Sequence, residues 1–214
     1  MTYIIAIDGP SGSGKSTIAE KLSKRLNIEY LNTGLMYRAV SKYFLDKGIN
    51  EDSDISQALK DINIIFKNNK LYLNGEDVTK ELRTDEITAN VSWVSNLPTV
   101  REKLVEIQRK TAENTSFILD GRDIGTVVFP NAKYKFFLTA NTKVRAKRRY
   151  DQHESNQSIE EIEKAIIKRD DYDSNRENSP LKKAEDAILI DNSNLNIDQT
   201  MDLILSYMEN DDVL

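Results

Sequence analysis

Short apolar runs alternate along the chain with longer segments in which apolar residues recur every three or four positions. A short continuous run is typical of a strand buried on both faces, and the longer spacing is typical of an amphipathic helix. Because helical segments separate most of the runs, the pattern predicts an α/β fold, a five-stranded parallel sheet with helices on both faces. The predicted strands are residues 3–7, 30–31, 117–119, 135–138 and 187–190.

Helices are predicted from the same periodicity and from end signals such as proline at a first position. One begins at Gly14, and the others are expected at about residues 36–45, 84–96, 98–113, 142–153, 158–171 and 197–208. Residues 62–78 differ, because two apolar runs and an Asn74-Gly75 turn predict a small antiparallel meander. We therefore expect one domain over residues 1–214, with an inserted subdomain at residues 62–97.

A glycine-rich segment joins the first strand to the first helix. It reads Gly9-Pro-Ser-Gly-Ser-Gly-Lys-Ser16, fits G-x-x-x-x-G-K-[ST], and is called the phosphate loop below. Its backbone N–H groups would cradle phosphates, the Lys15 ammonium would meet the β and γ phosphates, and the Ser16 hydroxyl would bind Mg²⁺. The residues predicted to bind ATP are Gly9, Pro10, Ser11, Gly12, Ser13, Gly14, Lys15, Ser16 and Thr17.

The environment of Lys15 is a separate expectation. We expect its ammonium to be an exposed loop charge, which adds little to the free energy of unfolding. Replacement of Lys15 should therefore remove function and leave the fold intact.

The composition narrows the chemistry that such a site could perform. The chain has no cysteine and one histidine, which excludes thiolate zinc sites, a cysteine nucleophile and a metal site with several histidines. A formal net charge of −5 argues against a uniformly basic nucleic-acid surface. The apolar opening at residues 3–7 is too short for a signal peptide or a membrane helix. We expect a cytoplasmic protein with no nucleic-acid or membrane partner.

The phosphate loop predicts a nucleoside triphosphate and no particular reaction. The guanine-specific pattern N-K-x-D is missing, because Asn69-Lys70 leads into Leu71-Tyr72, and this disfavours a switch GTPase. The small size disfavours a motor ATPase. Asp8 and Asp120 end two predicted strands near the nucleotide edge; Asp120 is a candidate to assist the metal ion indirectly, and Asp8 could equally cap or brace the loop.

Arginine supplies a second set of signals, since its planar guanidinium binds two phosphate oxygens at once. Arg122 follows a predicted strand, at the carboxyl edge where open parallel sheets bind ligands. Five basic residues crowd the helix predicted at 142–153: Lys143, Arg145, Lys147, Arg148 and Arg149. We predict a lid at residues 142–176 in which Arg148 and Arg149 close over the transferring phosphoryl group. His153 lies at its predicted tip, residues 152–158, and is expected to be a solvated residue.

The sequence resembles the bacterial cytidylate (CMP) kinases, which are P-loop nucleoside monophosphate kinases. The resemblance is colinear, runs nearly end to end, and is most particular in Gly-Arg-Asp-Ile-Gly-Thr-Val-Val-Phe-Pro at residues 121–130. The other segments that carry it are 7–15, 32–38, 75–78, 82–84, 98–101 and 168–176. The chain departs from the family pattern at Thr33, where serine is common, and at Tyr172 and Ser174, where further arginines are frequent.

This resemblance implies transfer of the γ-phosphoryl group from ATP to CMP or dCMP, with Mg²⁺ as cofactor and with Lys15, Arg122, Arg148 and Arg149 as catalytic residues. It also implies that the segment 62–97 belongs to monophosphate binding. It assigns the acceptor's phosphate to Thr33, Arg38, Arg122 and Arg176, its cytosine to Ser92, Arg101 and Asp123, and the neighbourhood of its sugar to Arg169 and Asp173.

Two other functions stay open on the sequence alone. One is a small P-loop kinase for a different nucleotide or a metabolite, and the other is a nucleotide-dependent binding module. The block at residues 121–123 favours an enzyme, because a binding switch needs no second anion site. We expect the enzyme to be a monomer.

Overall fold

The computed structural model describes residues 2–67, 70–152 and 157–209. The chain divides into two compact units, a larger one of residues 1–30 and 115–214 and a smaller one of residues 31–114. Among the described residues the strands are β1 Ile4–Asp8, β2 Glu29–Asn32, β3 Ile64–Lys67, β4 Lys70–Leu73, β5 Glu76–Asp77, β6 Phe117–Gly121, β7 Tyr134–Thr139 and β8 Ile188–Asp191. The α-helices there are α1 Lys15–Leu26, α2 Thr33–Asp46, α3 Ser56–Asp61, α4 Asp85–Val94, α5 Pro98–Thr111, α6 Thr142–Tyr150, α7 Ile159–Asn175 and α8 Ile197–Glu209.

The main sheet has five strands in the order β2-β6-β1-β7-β8. The central strand β1 runs parallel to both of its neighbours, with Asp8 opposite Gly121 of β6 and also opposite Phe137 of β7. The edge strand β8 is parallel to β7. The predicted five-stranded parallel sheet is confirmed, and it brings the carboxyl ends of β1, β6 and β7 to one edge.

The core of the larger unit explains why β1 is a continuous apolar run. Ile5 and Ile7 are fully buried within one hydrophobic cluster. Helices α1 and α8 contribute Leu22 and Met208 to the same cluster, so apolar side chains from two helices cover the strands. A strand buried in this way can carry polar groups only where it ends, and Asp8 is the last residue of β1.

The smaller unit contains the antiparallel sheet β3-β4-β5 and helices α2 to α5. The meander predicted at residues 62–78 is present as this sheet. Thr84 caps α4, since its hydroxyl accepts a hydrogen bond from the backbone N–H of Ile87. The rings of Phe44 and Trp93 stack with their centroids 5.7 Å apart. This unit is wider than the segment 62–97, whose role in monophosphate binding stays a prediction.

Two short elements were not expected from the sequence. One is α3, and the other is a π-helical turn at Ile124–Val128, directly after Asp123. Its wide hydrogen bonds run from Val128 N–H to the Asp123 carbonyl at 3.1 Å and from Phe129 N–H to the Ile124 carbonyl at 2.7 Å. Turns of this kind are rare and concentrate at functional sites.

The region predicted as a lid contains α6 and α7, which pack through Ala146, Ile162 and Ile166. A capping box begins α7, because Ser158 and Glu161 exchange side-chain and backbone hydrogen bonds. Residues 153–156 of the predicted tip, His153 included, lie outside the described residues. None of the helices in the described ranges is long and apolar enough to cross a membrane.

Substitution of Gly9 by alanine should destabilise the sheet edge strongly. Gly9 has φ +147°, and a Cβ built there lies 2.0 Å from the Leu138 carbonyl oxygen of β7. We expect Gly9→Ala to lower the free energy of unfolding by about 3 kcal/mol or more, from backbone strain and the clash together.

The matched control is Gly48→Ala, where φ is also positive, at +65°, and nothing lies within 4 Å of the new Cβ. Its expected cost is about 1 kcal/mol, from the backbone conformation alone. Equal effects of the two substitutions in urea denaturation would contradict a close approach of Gly9 to β7.

Candidate active site

The phosphate loop lies between the end of β1 and the start of α1, at the edge where the central strands end. Lys15 is the first residue of α1, and Thr17 is exposed in its first turn. The Lys15 ammonium donates to the Pro10 carbonyl at 2.7 Å and to Ser13 Oγ at 3.3 Å. Lys15 is only 5% exposed. The expectation of an exposed loop charge is therefore wrong, because the side chain folds back into the loop.

The surroundings of Lys15 lower the pKa of its side chain far below the ordinary value. Burial and the nearby positive charge of Arg122 lower the pKa of Lys15 to about 7, although the carboxylates of Asp120, Asp8 and Asp170 oppose the shift. At neutral pH the Lys15 amine is thus only partly protonated. A polyphosphate beside it would favour the charged form, so this lysine is poised to respond to an anion in the loop.

Ser16 and Asp120 form a set of oxygen atoms that suits Mg²⁺. Ser16 Oγ donates to Asp120 Oδ2 at 2.8 Å, and Tyr30 Oη donates to Asp120 Oδ1 at 2.8 Å. Asp120 is buried, which raises its pKa despite the Lys15 charge and the two hydroxyl donors. A hydroxyl and a carboxylate at the phosphate loop match the hard oxygen ligands of this cation.

The tip of the phosphate loop is held by the two lid helices. Ser11 N–H donates to Asp170 Oδ1 at 2.9 Å, and its carbonyl accepts from Arg145 Nη1 at 2.7 Å. Arg145 and Asp170 also form an ion pair with each other. Arg145 Nε donates to the Ala140 carbonyl at 2.8 Å. These contacts join α6, α7 and the segment that follows β7 to the backbone of Ser11 in the loop.

The structure gives Arg148 a different place from the one predicted. Its guanidinium donates to Asn192 Oδ1 at 3.0 Å, to the Asn192 carbonyl at 2.7 Å and to the Leu195 carbonyl at 3.4 Å. Asn192 in turn donates through Nδ2 to the Ser13 carbonyl at 3.0 Å. Arg148 therefore supports the connection after β8, and through Asn192 it supports the phosphate loop.

Arg149, the other arginine predicted to act on the transferring phosphoryl group, differs from Arg148. It is half-buried and has no hydrogen bond or ion pair with the part of the chain that the structure describes. Burial lowers the pKa of Arg169, and the positive charges of Arg122 and Arg149 add to this shift, while Asp173 opposes it. Like charges held together in this way are the electrostatic signature of an anion site.

Arg122, Arg169 and Arg176 gather around two carboxylates, and Arg149 is near enough to act on the charge of Arg169; these four residues are called the arginine cluster below. Arg122 Nε donates to Asp173 Oδ2 at 2.9 Å, Arg169 Nε lies 3.6 Å from the same oxygen, and Arg176 lies 3.9 Å from Asp173 Oδ1. Arg176 also lies 3.9 Å from Asp123 Oδ1. Four guanidinium groups and two carboxylates leave the cluster positive.

Asp173 is the centre of this cluster and is 1% exposed. Burial alone would raise its pKa, but Arg122, Arg169 and Arg176 bring it below the ordinary value. The carboxylate is consequently ionised at neutral pH and fixes the arginines around it. The structure thus brings together Arg122, Asp123, Arg169, Asp173 and Arg176, as a shared substrate site requires.

The other predicted substrate residues belong to the smaller unit. Thr33 is buried at the start of α2, and Ser92 lies on α4. Arg38 Nη1 donates to Thr88 Oγ1 at 2.7 Å and to the Leu82 carbonyl at 3.0 Å. Arg101 is buried, donates to the Ser95 carbonyl at 3.0 Å, and stands 5.2 Å from the centre of the Tyr37 ring. Both guanidinium groups are held in fixed positions within this unit.

Sequence reasoning missed three residues that hold the phosphate loop, namely Arg145, Asp170 and Asn192. Arg145 stood within the basic run of α6, where charge alone does not tell a loop contact from a phosphate contact. Asp170 adjoins Arg169 in a segment of the family resemblance. Asn192 follows β8, and a polar residue directly after a buried strand was the available signal.

The chain is similar to known proteins over nearly its whole length. The family described as cytidylate kinase matches residues 5–210. A cytidylate kinase of Fusobacterium nucleatum subsp. nucleatum is 47% identical over 211 residues, which cover 96% of this chain and 97% of that protein. A cytidylate kinase of Clostridioides difficile is 46% identical over 208 residues, covering 95% of this chain and 96% of that protein.

Two solved structures share the fold at low sequence identity. A gluconokinase of Sinorhizobium meliloti superimposes with a TM-score of 0.54 at 10% identity, covering 98% of this chain and 92% of that one. A sugar kinase of Janibacter sp. gives a TM-score of 0.52 at 15% identity, covering 98% of this chain and 95% of that one. These two structures show the fold and do not identify the family. The family match and the 47% identity to a cytidylate kinase over nearly the full length do identify it: the chain belongs to the cytidylate kinase family.

Proposed function

We propose that the chain transfers the γ-phosphoryl group of ATP to CMP or dCMP, giving ADP and CDP or dCDP. The observation that carries this proposal is the double role of Arg122. Its charge lowers the pKa of the phosphate-loop lysine, and its Nε binds Asp173 in the arginine cluster. A donor-phosphate site and an acceptor anion site are thus electrostatic neighbours, which phosphoryl transfer between two nucleotides requires.

The donor side uses the backbone N–H groups of the phosphate loop and the ammonium of Lys15 for the β and γ phosphates. Ser16 would hold Mg²⁺ directly, and Asp120 would orient the Ser16 hydroxyl or a water molecule on the ion. The ion, when bound, neutralises charge on the phosphate oxygens. Lys15 takes up a proton as the phosphates arrive, because their charge raises its pKa from about 7.

In the transfer step an oxygen of the acceptor's phosphate attacks the γ-phosphorus. The bond from that phosphorus to the β–γ bridging oxygen breaks, and ADP leaves with the electron pair. The acceptor oxygen is already anionic, so no general base is needed. Arg149 stabilises the charge that spreads over the transferring group, and Arg122 and Arg176 hold the acceptor's phosphate.

Cytosine carries an amino donor at N4 beside the acceptors N3 and O2. Asp123 accepts from N4 and therefore favours cytosine, because uracil would set an oxygen against the carboxylate and leave buried groups unpaired, at about 1–3 kcal/mol per group. Arg169 and Asp173 serve the sugar, where an ionised carboxylate accepts a hydroxyl hydrogen bond. The substrate roles of Thr33, Arg38, Ser92 and Arg101 stay predictions.

We also propose a cellular compartment and an oligomeric state for the enzyme. We place it in the cytoplasm, because nucleotide substrates are found there and a chain without cysteine needs no oxidising compartment. We also propose a monomer, since every group named for the chemistry belongs to one chain. Membership in the cytidylate kinase family argues against the two alternatives, a different small-molecule kinase and a binding module.

A panel of nucleoside monophosphates tests the function directly. With ATP and Mg²⁺, coupled detection of ADP should show turnover with CMP and dCMP, and a kcat/KM for UMP lower by about 10-fold or more. Lys15→Met is the matched negative control, since it keeps the length of the buried side chain and removes its charge. We expect no turnover and an unchanged melting temperature for this variant. Turnover with AMP or GMP at the CMP rate would overturn the assignment.

The two neighbouring lid arginines should separate in kinetics. Arg149→Ala should lower kcat by about 10²-fold with little change in calorimetric affinity for ATP, because the charge it meets develops in the transition state. Arg148→Ala should instead raise KM for ATP, since it releases Asn192 and with it the phosphate loop. Identical effects of the two substitutions would show that the arginines act as a pair and that this division of roles is wrong.

A further inference from the structure

Asp8 takes no part in the reaction proposed above, although it is the residue directly before the phosphate loop and is only 5% exposed. We propose that Asp8 is a positioning residue for base recognition, which holds the segment carrying Asp123 against the end of β1. The inference rests on the proposed function, in that Asp123 is taken as the group that reads cytosine.

The contacts of Asp8 are directed at one short segment. Its Oδ1 accepts from the backbone N–H of Ile124 at 2.8 Å, and its Oδ2 accepts from that of Gly125 at 2.7 Å. Ile124 is bonded to Asp123 in the chain and begins the π-helical turn. Two bonds from adjacent peptide units fix both the distance and the rotation of that turn.

The sheet cannot provide this alignment. Backbone pairing between β1 and β6 ends with Asp8 opposite Gly121, two residues before Asp123. Beyond that pair, the first N–H groups of the π-helical turn have no partner within the turn. The Asp8 carboxylate accepts from two of them. It thereby fixes the position of Asp123 relative to the end of β1.

The energetics also favour a positioning role over a stabilising one. Burial raises the pKa of Asp8 to about 6, with Asp123 adding to the shift, while the two N–H donors and Lys15 oppose it. Lys135 of β7 is a further charged residue near Asp8, since the aliphatic part of its side chain lies beside Gly125. Because the pKa in the fold lies above the ordinary 3.8, ionised Asp8 costs folding free energy at neutral pH. In Asp8→Asn the removal of this buried charge offsets the loss of one acceptor, so we expect a melting temperature near that of the wild type.

The test compares kcat/KM for UMP with that for CMP at saturating ATP and pH 8. In Asp8→Asn the amide NH₂ faces one backbone N–H, so the turn shifts. The UMP/CMP ratio should rise by about 5- to 10-fold, and KM for ATP should change by less than this, because the Asp8 charge is one of several that act on Lys15. Asp123→Ala gives the upper limit of this rise. The control is Asp54→Asn, an exposed carboxylate that also accepts a backbone N–H, from Ser56 at 2.9 Å.

A second readout follows from titration. The ionised carboxylate accepts both N–H groups, and it is lost as pH falls through about 6. The wild-type UMP/CMP ratio should accordingly rise between pH 8 and pH 5.5, and in Asp8→Asn it should be independent of pH. Titration of the substrate phosphate is common to both nucleotides and cancels in the ratio.

An unchanged UMP/CMP ratio in Asp8→Asn would overturn the proposal, and so would a raised KM for ATP as the main effect, which would make Asp8 a brace of the phosphate loop alone. If Asp8→Asn does not fold, the wild-type pH profile still decides, and a flat ratio overturns the proposal. Failure of the proposed function is distinguishable, because the wild type would then show no preference for CMP at pH 8.

Discussion

A buried ammonium group at the carboxyl edge of a parallel sheet governs the arrangement of the larger unit. Lys15 is surrounded by protein, and an isolated charge in such a place is costly unless it is paired or neutralised. The order of the strands sets Asp8 at the end of the central strand and Asp120 near the end of its neighbour β6. Burial and the charge of Arg122 lower the pKa of the lysine, the nearby carboxylates oppose them, and the pKa comes to about 7.

Hydrogen bonds from neighbouring elements hold the backbone of the phosphate loop, and with it Lys15, in place. Arg145 binds the backbone carbonyl of Ser11, and Asp170 accepts from its backbone N–H. Arg148 acts through Asn192 on the Ser13 carbonyl, at the other side of the loop. Arg145, Asp170 and Arg148 are charged side chains that bind backbone groups, which is the stronger class of hydrogen bond, and Asn192 adds a neutral amide donor. The loop is therefore held by the same helices, α6 and α7, that carry Arg149 and Arg169.

Much of this arrangement could be predicted from the sequence, because apolar runs and glycine spacing are local signals. The sheet, the small antiparallel meander and the phosphate loop follow from them. The π-helical turn at Ile124–Val128 could not, since the acceptors for its first two backbone N–H groups come from Asp8, in a distant part of the chain. The burial of Lys15 and the different contacts of Arg148 and Arg149 also depend on residues that are distant in sequence. Neighbouring arginines look alike in sequence until their partners are known.

Proton uptake on ATP binding tests the central role of Lys15 most directly. Calorimetry in buffers of different ionisation enthalpy should give a net uptake of protons on ATP binding at pH 8, since a group with a pKa of about 7 is mostly neutral there and becomes charged beside the phosphates. At pH 6 the uptake should be close to zero, because Lys15 is already protonated. Lys15→Met should abolish the uptake at pH 8. An uptake that is absent in the wild type, or that persists in Lys15→Met, would contradict the account.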